Sequence, residues 1–504
     1  MKLNRSIPIC LFTLICSLQA QAQNSDGDSI FFSPDIHIVN ITFWQPNYWD
    51  SLVANYPLDV LMAGNVNFDG TQYDSCGLQL KGNSSYNSYP GVKKSIKIAF
   101  DEYWTSQKCD GLKTLNLNNG FKDPTMLREK IDLDFLYEHN IPAPRATFAK
   151  VYINGTYWGF YSLVEQVNKT FLNDRFGNKN GNLFKGDPNG TLQWVGPMDT
   201  SYYHKYELHT NETINDWSDL VHLIDKVNNT PSANFYDTLE TLLNTDANIQ
   251  AWAANILFSN LDSYQGSGHN YYIYHNTSTG KFEWITWDVN EAFGNFNLGM
   301  NINQIENLDL FYIPNPQNAR PLTQKMQQNA TYRQQYSDAI CLFIQNDFSN
   351  AELDPKIDSL ANRIRNDYYA DPNKMFSNTQ FETNLTNNQG NSPGLKSFIQ
   401  TRRTFLINQL ASLGCATGIA DFPSSRPGLT IYPNPLSNGS TLTISASEGS
   451  RIEIFDYLGS IVFKTLVPSD GSISINSKTI AQGIYMIRVS LNGEIIGSHK
   501  LVVE

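Results

Sequence analysis

Between Ile36 and Leu413 the prevailing spacing of apolar residues changes from that of strands to that of helices, and this change restricts the fold more than any other feature. From Ile36 to Val164, apolar residues mostly alternate with polar ones. Alternation sends successive side chains to opposite faces, as a half-buried strand requires. Ile36–Phe43, Leu78–Lys81, Ser95–Phe100, Leu115–Leu117, Phe148–Ile153 and Tyr157–Val164 are predicted strands, the last two joined by Asn154-Gly155. That dipeptide accepts positive φ and is a strong two-residue hairpin signal. Within this region, Asp123-Pro124 predicts a helix start, with Leu127, Ile131 and Phe135 on one face as far as Asn140. From Trp217 onward the recurrence is every third or fourth residue. Trp217, Leu220, Val221, Ile224 and Val227 mark one helical face, and Ile249, Trp252, Ala253, Ile256 and Leu257 another. Tyr332–Phe348 and Leu395–Leu413 continue the pattern, which only a short hairpin interrupts: Tyr271–Tyr274 and Phe282–Trp287, joined through Gly280. Strands first and helices after predict an α+β domain.

A chain of 504 residues exceeds one hydrophobic core. Lys2 and Arg5 precede the apolar run Ile7–Leu18 and the small-x-small pattern Ala20-Gln21-Ala22, which predicts a signal peptide over residues 1–22. The run is shorter than the ~20 residues that span a bilayer, so no transmembrane segment is expected after cleavage. Four cysteines follow the leader, and the pairings expected are Cys76 with Cys109 and Cys341 with Cys415. Pro423, Ser424, Ser425 and Pro427 make residues 416–428 a linker between a domain at 23–415 and a module at 429–504. Short β-rich runs at regular spacing predict that the module is a small all-β sandwich. A net charge of -12 excludes non-specific nucleic-acid binding, which depends on Lys and Arg meeting phosphates.

The most chemically loaded stretch runs from Asp262 to Asp288. A helix delivers Asp262 into a loop, the loop ends in Asn270, and a hairpin carries the chain out and back to Asp288. Two carboxylates and an amide oxygen are hard ligands suited to Mg2+ or Mn2+, which keep waters and bind nucleotide phosphates. A single aspartate of this kind is ordinarily a turn or strand-end cap; the ordered set points to a metal site and phosphoryl transfer. His269 reads as a structural residue. The glycine-rich, HRD and DFG strings of ordinary kinases are absent.

Lys81-Gly82-Asn83-Ser84-Ser85, Lys93-Lys94-Ser95-Ile96-Lys97, Leu127-Arg128-Glu129, Gly159-Phe160-Tyr161-Ser162-Leu163-Val164-Glu165, His269-Asn270-Tyr271-Tyr272 and Trp287-Asp288 together resemble the spore coat protein H (CotH) family of atypical, secreted-type protein kinases. The resemblance covers roughly Ile36 to Leu413. It implies an atypical protein-kinase-like two-lobed domain that moves the ATP γ-phosphoryl group, with Mg2+ or Mn2+, to Ser or Thr hydroxyls of secreted or surface proteins. Asp262 would be the catalytic aspartate, with Asn270 and Asp288 as metal ligands. Glu129 would hold the phosphate lysine, for which Lys94, Lys97, Lys81 and Arg128 compete; Ser84 and Ser85 would cradle phosphate, and Glu165 would fall at the hinge between lobes. Asp262 and Asn270 lie eight residues apart, against about five in ordinary kinases, and Asn290 stands where the family often has a second Asp. A catalytically inactive kinase-fold surface protein used for adhesion or matrix binding is the competing expectation.

Ile431-Tyr432-Pro433-Asn434-Pro435, Phe455-Asp456-Tyr457-Leu458-Gly459, Gly483-Ile484-Tyr485-Met486-Ile487 and Lys500-Leu501-Val502-Val503 resemble the type A sorting domain of type IX secretion. This implies handling by outer-membrane secretion machinery and a secreted or cell-surface location in a Gram-negative bacterium, reached through the periplasm.

Overall fold

The computed structural model describes residues 25–415, 430–432, 434, 436–437, 439–455, 461–491 and 494–503. The expected leader and linker lie outside the described residues. Chain contacts divide the protein into two units, Met1–Cys415 and Ala416–Glu504.

In the first unit, seven strands close into a barrel: β1 (His37–Thr42), β2 (Met62–Phe68), β3 (Thr71–Lys81), β4 (Ser95–Ala99), β5 (Thr114–Asn118), β6 (Ala146–Ile153) and β7 (Thr156–Glu165). Their order around it is β1-β2-β3-β4-β5-β7-β6. All neighbours are antiparallel except β1 and β6, which run parallel with Val39 opposite Val151. Alternation fills the interior with Val39, Ile41, Val66, Leu78, Leu80, Ile96, Ile98, Leu115, Leu117, Val151 and Leu163. Where a kinase-like small lobe was expected, the chain forms a seven-stranded closed barrel. The β1–β6 pair removes both free edges, and the Asn154-Gly155 turn secures it: Asn154 N–H donates to Ile41 O at 2.9 Å, and Phe43 N–H to Asn154 Oδ1 at 2.7 Å. β2 was not anticipated, because Gly64, Asn65 and Asn67 dilute its apolar pattern.

Helix α1 (Arg128–Glu138) packs against β6. It begins later than Asp123-Pro124 predicts, because the Asp123 carboxylate caps an approach turn instead, accepting from the N–H groups of Thr125 and Arg128, both at 2.9 Å. After it come β8 (Leu183–Gly186), β9 (Tyr206–Leu208), β10 (Tyr271–Asn276) and β11 (Lys281–Thr286), a second sheet in the order β11-β10-β8-β9. The helical body around it includes α2 (Ser218–Asn229), α3 (Thr245–Leu257), α4 (Ala330–Asn346), α5 (Asn350–Ala370) and α6 (Leu395–Ala411). Its apolar core is separate from the barrel interior. No helix among the described residues is long and apolar enough to cross a membrane.

A buried ion pair joins the barrel to the helical body. Lys93 Nζ lies 2.6 Å from Asp371 Oδ2 at the end of α5, and both side chains are essentially solvent-free. The same carboxylate accepts from Phe160 N–H on β7 at 3.0 Å and from Asn373 N–H at 2.7 Å. Gly159 permits this approach, since a Cβ there would stand 2.9 Å from Asp371 Oδ1. The Cys341–Cys415 disulfide is present. The expected Cys76–Cys109 bridge is not: both thiols are buried and free, and Cys76 instead contacts Tyr73 O at 3.7 Å and Gln107 Nε2 at 3.4 Å.

The second unit pairs a three-stranded sheet (Thr430–Tyr432, Thr441–Ser445, Ser472–Asn476) with a four-stranded one (Ile461–Leu466, Arg451–Phe455, Gly483–Leu491, Glu494–Val503). Leu442, Ile444, Ile452, Ile454, Ile475, Ile487 and Val489 form its core. Of the motif residues, Pro433, Pro435 and Asp456–Gly459 lie outside the described residues.

Removing one partner of a buried ion pair strands the other, at about 3–5 kcal/mol. Asp371→Ala should therefore lower stability by that amount in urea denaturation. Lys93→Met should cost less, because two backbone N–H groups still satisfy Asp371; equal losses in the two variants would refute this assignment.

Candidate active site

The site begins where α3 ends. Ser259 takes φ 44° and turns the chain out of the helix, and the loop that follows folds on itself: Ser263 Oγ donates to Asn260 O at 2.6 Å, and Gly268 N–H to Ser263 O at 2.9 Å. Gly266 is obligatory, since a Cβ there would stand 1.9 Å from Leu261 O. Arg320 braces the loop from outside by donating to Tyr264 O and Gly266 O. Beneath it, Tyr271 stacks on Trp284 at 4.2 Å and Tyr264 meets both rings edge-on.

The register of β10 and β11 then sets the geometry. Tyr271 is opposite Thr286, and Trp287 N–H donates to Asn270 O at 3.2 Å. Asp288 therefore emerges beside Asn270, as the hairpin predicts. Both take the left-handed conformation, at φ 52° and 58°, which Asn and Asp tolerate better than other non-glycine residues. Asp262 closes the set: Asn270 Nδ2 donates to Asp262 O at 2.8 Å and to Oδ2 at 3.1 Å, and His269 Nε2 lies 2.8 Å from Oδ1. Burial pulls the His269 pKa down, but the hydrogen bond and charge of Asp262 outweigh it and raise it overall. His269 is thus a partner of Asp262, in keeping with a structural role.

Across from the hairpin stands the outer face of the barrel. Lys81, at the end of β3, donates to Asn116 Oδ1 at 3.0 Å and Asn118 Oδ1 at 3.3 Å, with its Nζ 5.5 Å from the Trp287 ring centroid. Asn118 Nδ2 in turn donates to Glu129 Oε1 at 2.8 Å. Lys81 and Glu129 are therefore linked through Asn118. Burial pushes Lys81 down to about 8, against the pull of Asp288 and Glu129. Burial and then the charge of Asp288 push Glu129 up to about 8. Asp288 itself is raised by burial, opposed chiefly by Lys81.

The other expected residues divide. Lys97 lies opposite Asn116 on β4, close enough to depress Lys81. Lys94 is committed to the carbonyls of Tyr86 and Tyr89. Arg128 is wholly buried against Asp123, Asn384 Oδ1 and Pro393 O. Ser84 and Ser85 form a single helical turn after Gly82, whose lack of a Cβ leaves room for Ser85 Oγ. Both oxygens of Glu165 are taken by Arg145, and Arg175 adds a further contact at 3.0 Å. Asn290 turns to Phe121 O at 3.3 Å.

Two residues went unanticipated. Lys185 on β8 lies opposite Tyr272, pairs with Asp187 at 2.5 Å, and acts electrostatically on Asp288 and Lys81. Glu291 is buried, paired with Lys122 at 2.9 Å, and pushed up to about 7 by burial and by Asp262. Their only sequence signal was position, a lysine on the strand beside the hairpin and an acid three residues past Asp288. Among the described residues no three His, Cys, Asp or Glu side chains converge as a self-sufficient metal cage. Asn270 Oδ1 and the Asp288 carboxylate nevertheless accept no hydrogen bond from the described residues, a donor set that suits a hard cation otherwise coordinated by water and phosphate.

These shifts carry a sign. A carboxyl group raised on folding leaves the folded chain holding more protons than the unfolded one between the two pKa values, so stability falls as pH rises through that window. For Glu129 the window runs from the ordinary glutamate value to about 8. Urea denaturation of the ligand-free protein across it should show falling stability, and Glu129→Gln should flatten the slope; an unchanged slope would locate the titration elsewhere.

Comparison with known proteins bears on the family of this chain. Residues 78–406 match the family described as CotH kinase protein, and residues 430–504 match the secretion system C-terminal sorting domain. The chain is 29% identical over 294 residues to the inner spore coat protein H of Bacillus subtilis, covering 58% of this chain and 77% of that one. It is 23% identical over 345 residues to invasin CotH2 of Rhizopus delemar, covering 63% of this chain and 54% of that one. A solved structure of PorZ, an essential surface component of the type IX secretion system of Porphyromonas gingivalis, is 20% identical over 17% of this chain and 12% of that one, with a TM-score of 0.15; so slight a likeness carries no weight. The chain belongs to the CotH kinase family and ends in a secretion-system sorting domain.

Proposed function

We propose that this protein is an exported ATP-dependent protein kinase that phosphorylates Ser or Thr hydroxyls of secreted or surface proteins, with the barrel as its small lobe and the helical body as its large one. The observation that carries the reading is the opposition of Lys81 and Glu129 to Asp262, Asn270 and Asp288, close enough for Lys81, Glu129 and Asp288 to shift one another's protonation.

In this mechanism Lys81 holds phosphate oxygens, kept in place by Asn116 and Asn118, and Glu129 restrains it through Asn118. Ser84 and Ser85 cover the phosphates from the loop after β3. Asn270 and Asp288 would hold Mg2+ or Mn2+, which would supply neutralisation of phosphate charge. Asp262, fixed by Asn270 and His269, orients the acceptor hydroxyl and takes its proton. The hydroxyl oxygen bonds to the γ-phosphorus as the bond to the bridging oxygen breaks, and ADP leaves. The sorting domain supports delivery to the outside of the cell by type IX secretion, with phosphorylation before or during export meeting the scarcity of ATP beyond it.

A second reading rests on Asp262. Its Oδ1 meets His269 and Ser267 and its Oδ2 meets Asn270, an engagement that would also suit an inactive scaffold used for adhesion, in keeping with a relative named an invasin.

Incubation with γ-labelled ATP, Mg2+ or Mn2+ and a Ser/Thr-rich acceptor separates the two. Wild type should transfer label. Asp288→Ala should lose nucleotide-dependent metal binding. Asp262→Ala should bind nucleotide but transfer label about 100-fold more slowly or worse. A folded wild-type protein that binds no ATP would establish the scaffold reading.

A further inference from the structure

A groove of about 510 Å³ lies between α3 and α4, outside the cluster around Asp262. Residues spaced three and four apart share a helix face, and on α4 this spacing turns Asp338, Ala339 and Leu342 into the groove. α3 contributes Asp246 and Ile249. The walls are rigid, because Trp252 of α3 stacks on Tyr336 of α4 at 3.7 Å behind them.

The lining is polarised. Its titratable groups are Asp246, Asp338, Asp347 and His139, with no Lys or Arg. Asp347 faces His139 at 2.9 Å. Asp338 accepts only the Gln334 amide at 2.8 Å, and neither it nor Asp246 forms an ion pair among the described residues. Leu342 is 55% exposed between these carboxylates, although Phe343 beside it is buried. Gln335, also on the wall, has an Oε1 that no donor satisfies.

An apolar side chain flanked by unpaired carboxylates is complementary to an aliphatic residue between Lys or Arg residues. We propose that this groove docks a basic segment of the protein substrate, with Leu342 and Ile249 receiving its aliphatic side chain and Asp246 and Asp338 its cations. The proposal rests on the kinase reading for the word substrate; the binding itself requires no transfer. The α4 face from residue 335 to 346 spans about 17 Å, the length of about five extended residues. A docking segment of that length would raise the local concentration of an acceptor hydroxyl elsewhere on the same chain.

The test is fluorescence anisotropy on the full chain with a labelled peptide carrying two arginines on each side of one leucine, beside a control with glutamates in place of the arginines. The basic peptide should bind and the acidic one should not, with binding weakening about tenfold or more between about 50 and about 500 mM salt. The double variant Asp246→Lys, Asp338→Lys and the single variant Leu342→Ser should each weaken it about tenfold. Both alter exposed side chains, and unchanged circular dichroism would verify folding. Absence of binding, equal binding of both peptides, or indifference to charge reversal would overturn the proposal. Asp288→Ala should retain peptide affinity, so failure of the kinase reading leaves a distinct signature: peptide binding without ATP binding.

Discussion

The hydrogen bond from Trp287 N–H to the Asn270 carbonyl is the contact on which the site depends. It is the last rung of the β10–β11 ladder, and it brings Asp288 beside Asn270 although eighteen residues separate them. A register slip of one residue would turn every side chain of the strand to the opposite face. Tyr271 and Trp284 guard against this, since their stacking beneath the Asp262 loop requires the register observed. The site therefore inherits its precision from an aromatic core rather than from its own polar contacts.

A second dependence runs through the barrel. Lys81, Asn116 and Asn118 belong to strands β3 and β5, which are not neighbours, and they meet on the outer face because β4 lies between them in fixed register. Closure holds that face rigid, and the Lys93–Asp371 pair fixes the barrel against α5. A lysine on a closed barrel can thus be positioned against a hairpin in another core without direct bonding to its carboxylates.

These relations explain which parts could be read from the sequence. Asn154-Gly155, the α1 face and the Asp262–Asn270–Asp288 order follow from local periodicity and turn chemistry, and all appear at those residues. Closure was not legible, because it needs a parallel pairing of β1 with β6 across more than a hundred residues. Lys81, Lys94 and Lys97 could not be ranked by spacing, since only strand register separates a lysine facing Glu129 from one bound to the carbonyls of Tyr86 and Tyr89. Lys185 was hidden for a similar reason: β8 has four residues and no pattern of its own, and its partner β10 lies almost ninety residues further on. Cys76 and Cys109 illustrate the converse, where an even cysteine count suggested a bond that the structure does not make.

The protonation of these buried groups bears on how the chain tolerates their arrangement. Burying Lys81, Glu129 and Asp288 as full charges would cost several kcal/mol per ion. Burial instead draws Lys81 and Glu129 to values near each other, about 8, so near neutral pH the group carries less charge than three isolated side chains would. On the proposed kinase reading, phosphate would favour protonated Lys81 and a cation would favour ionised Asp288. Binding would on that reading restore charge that folding suppressed, and burial would strengthen each contact made there.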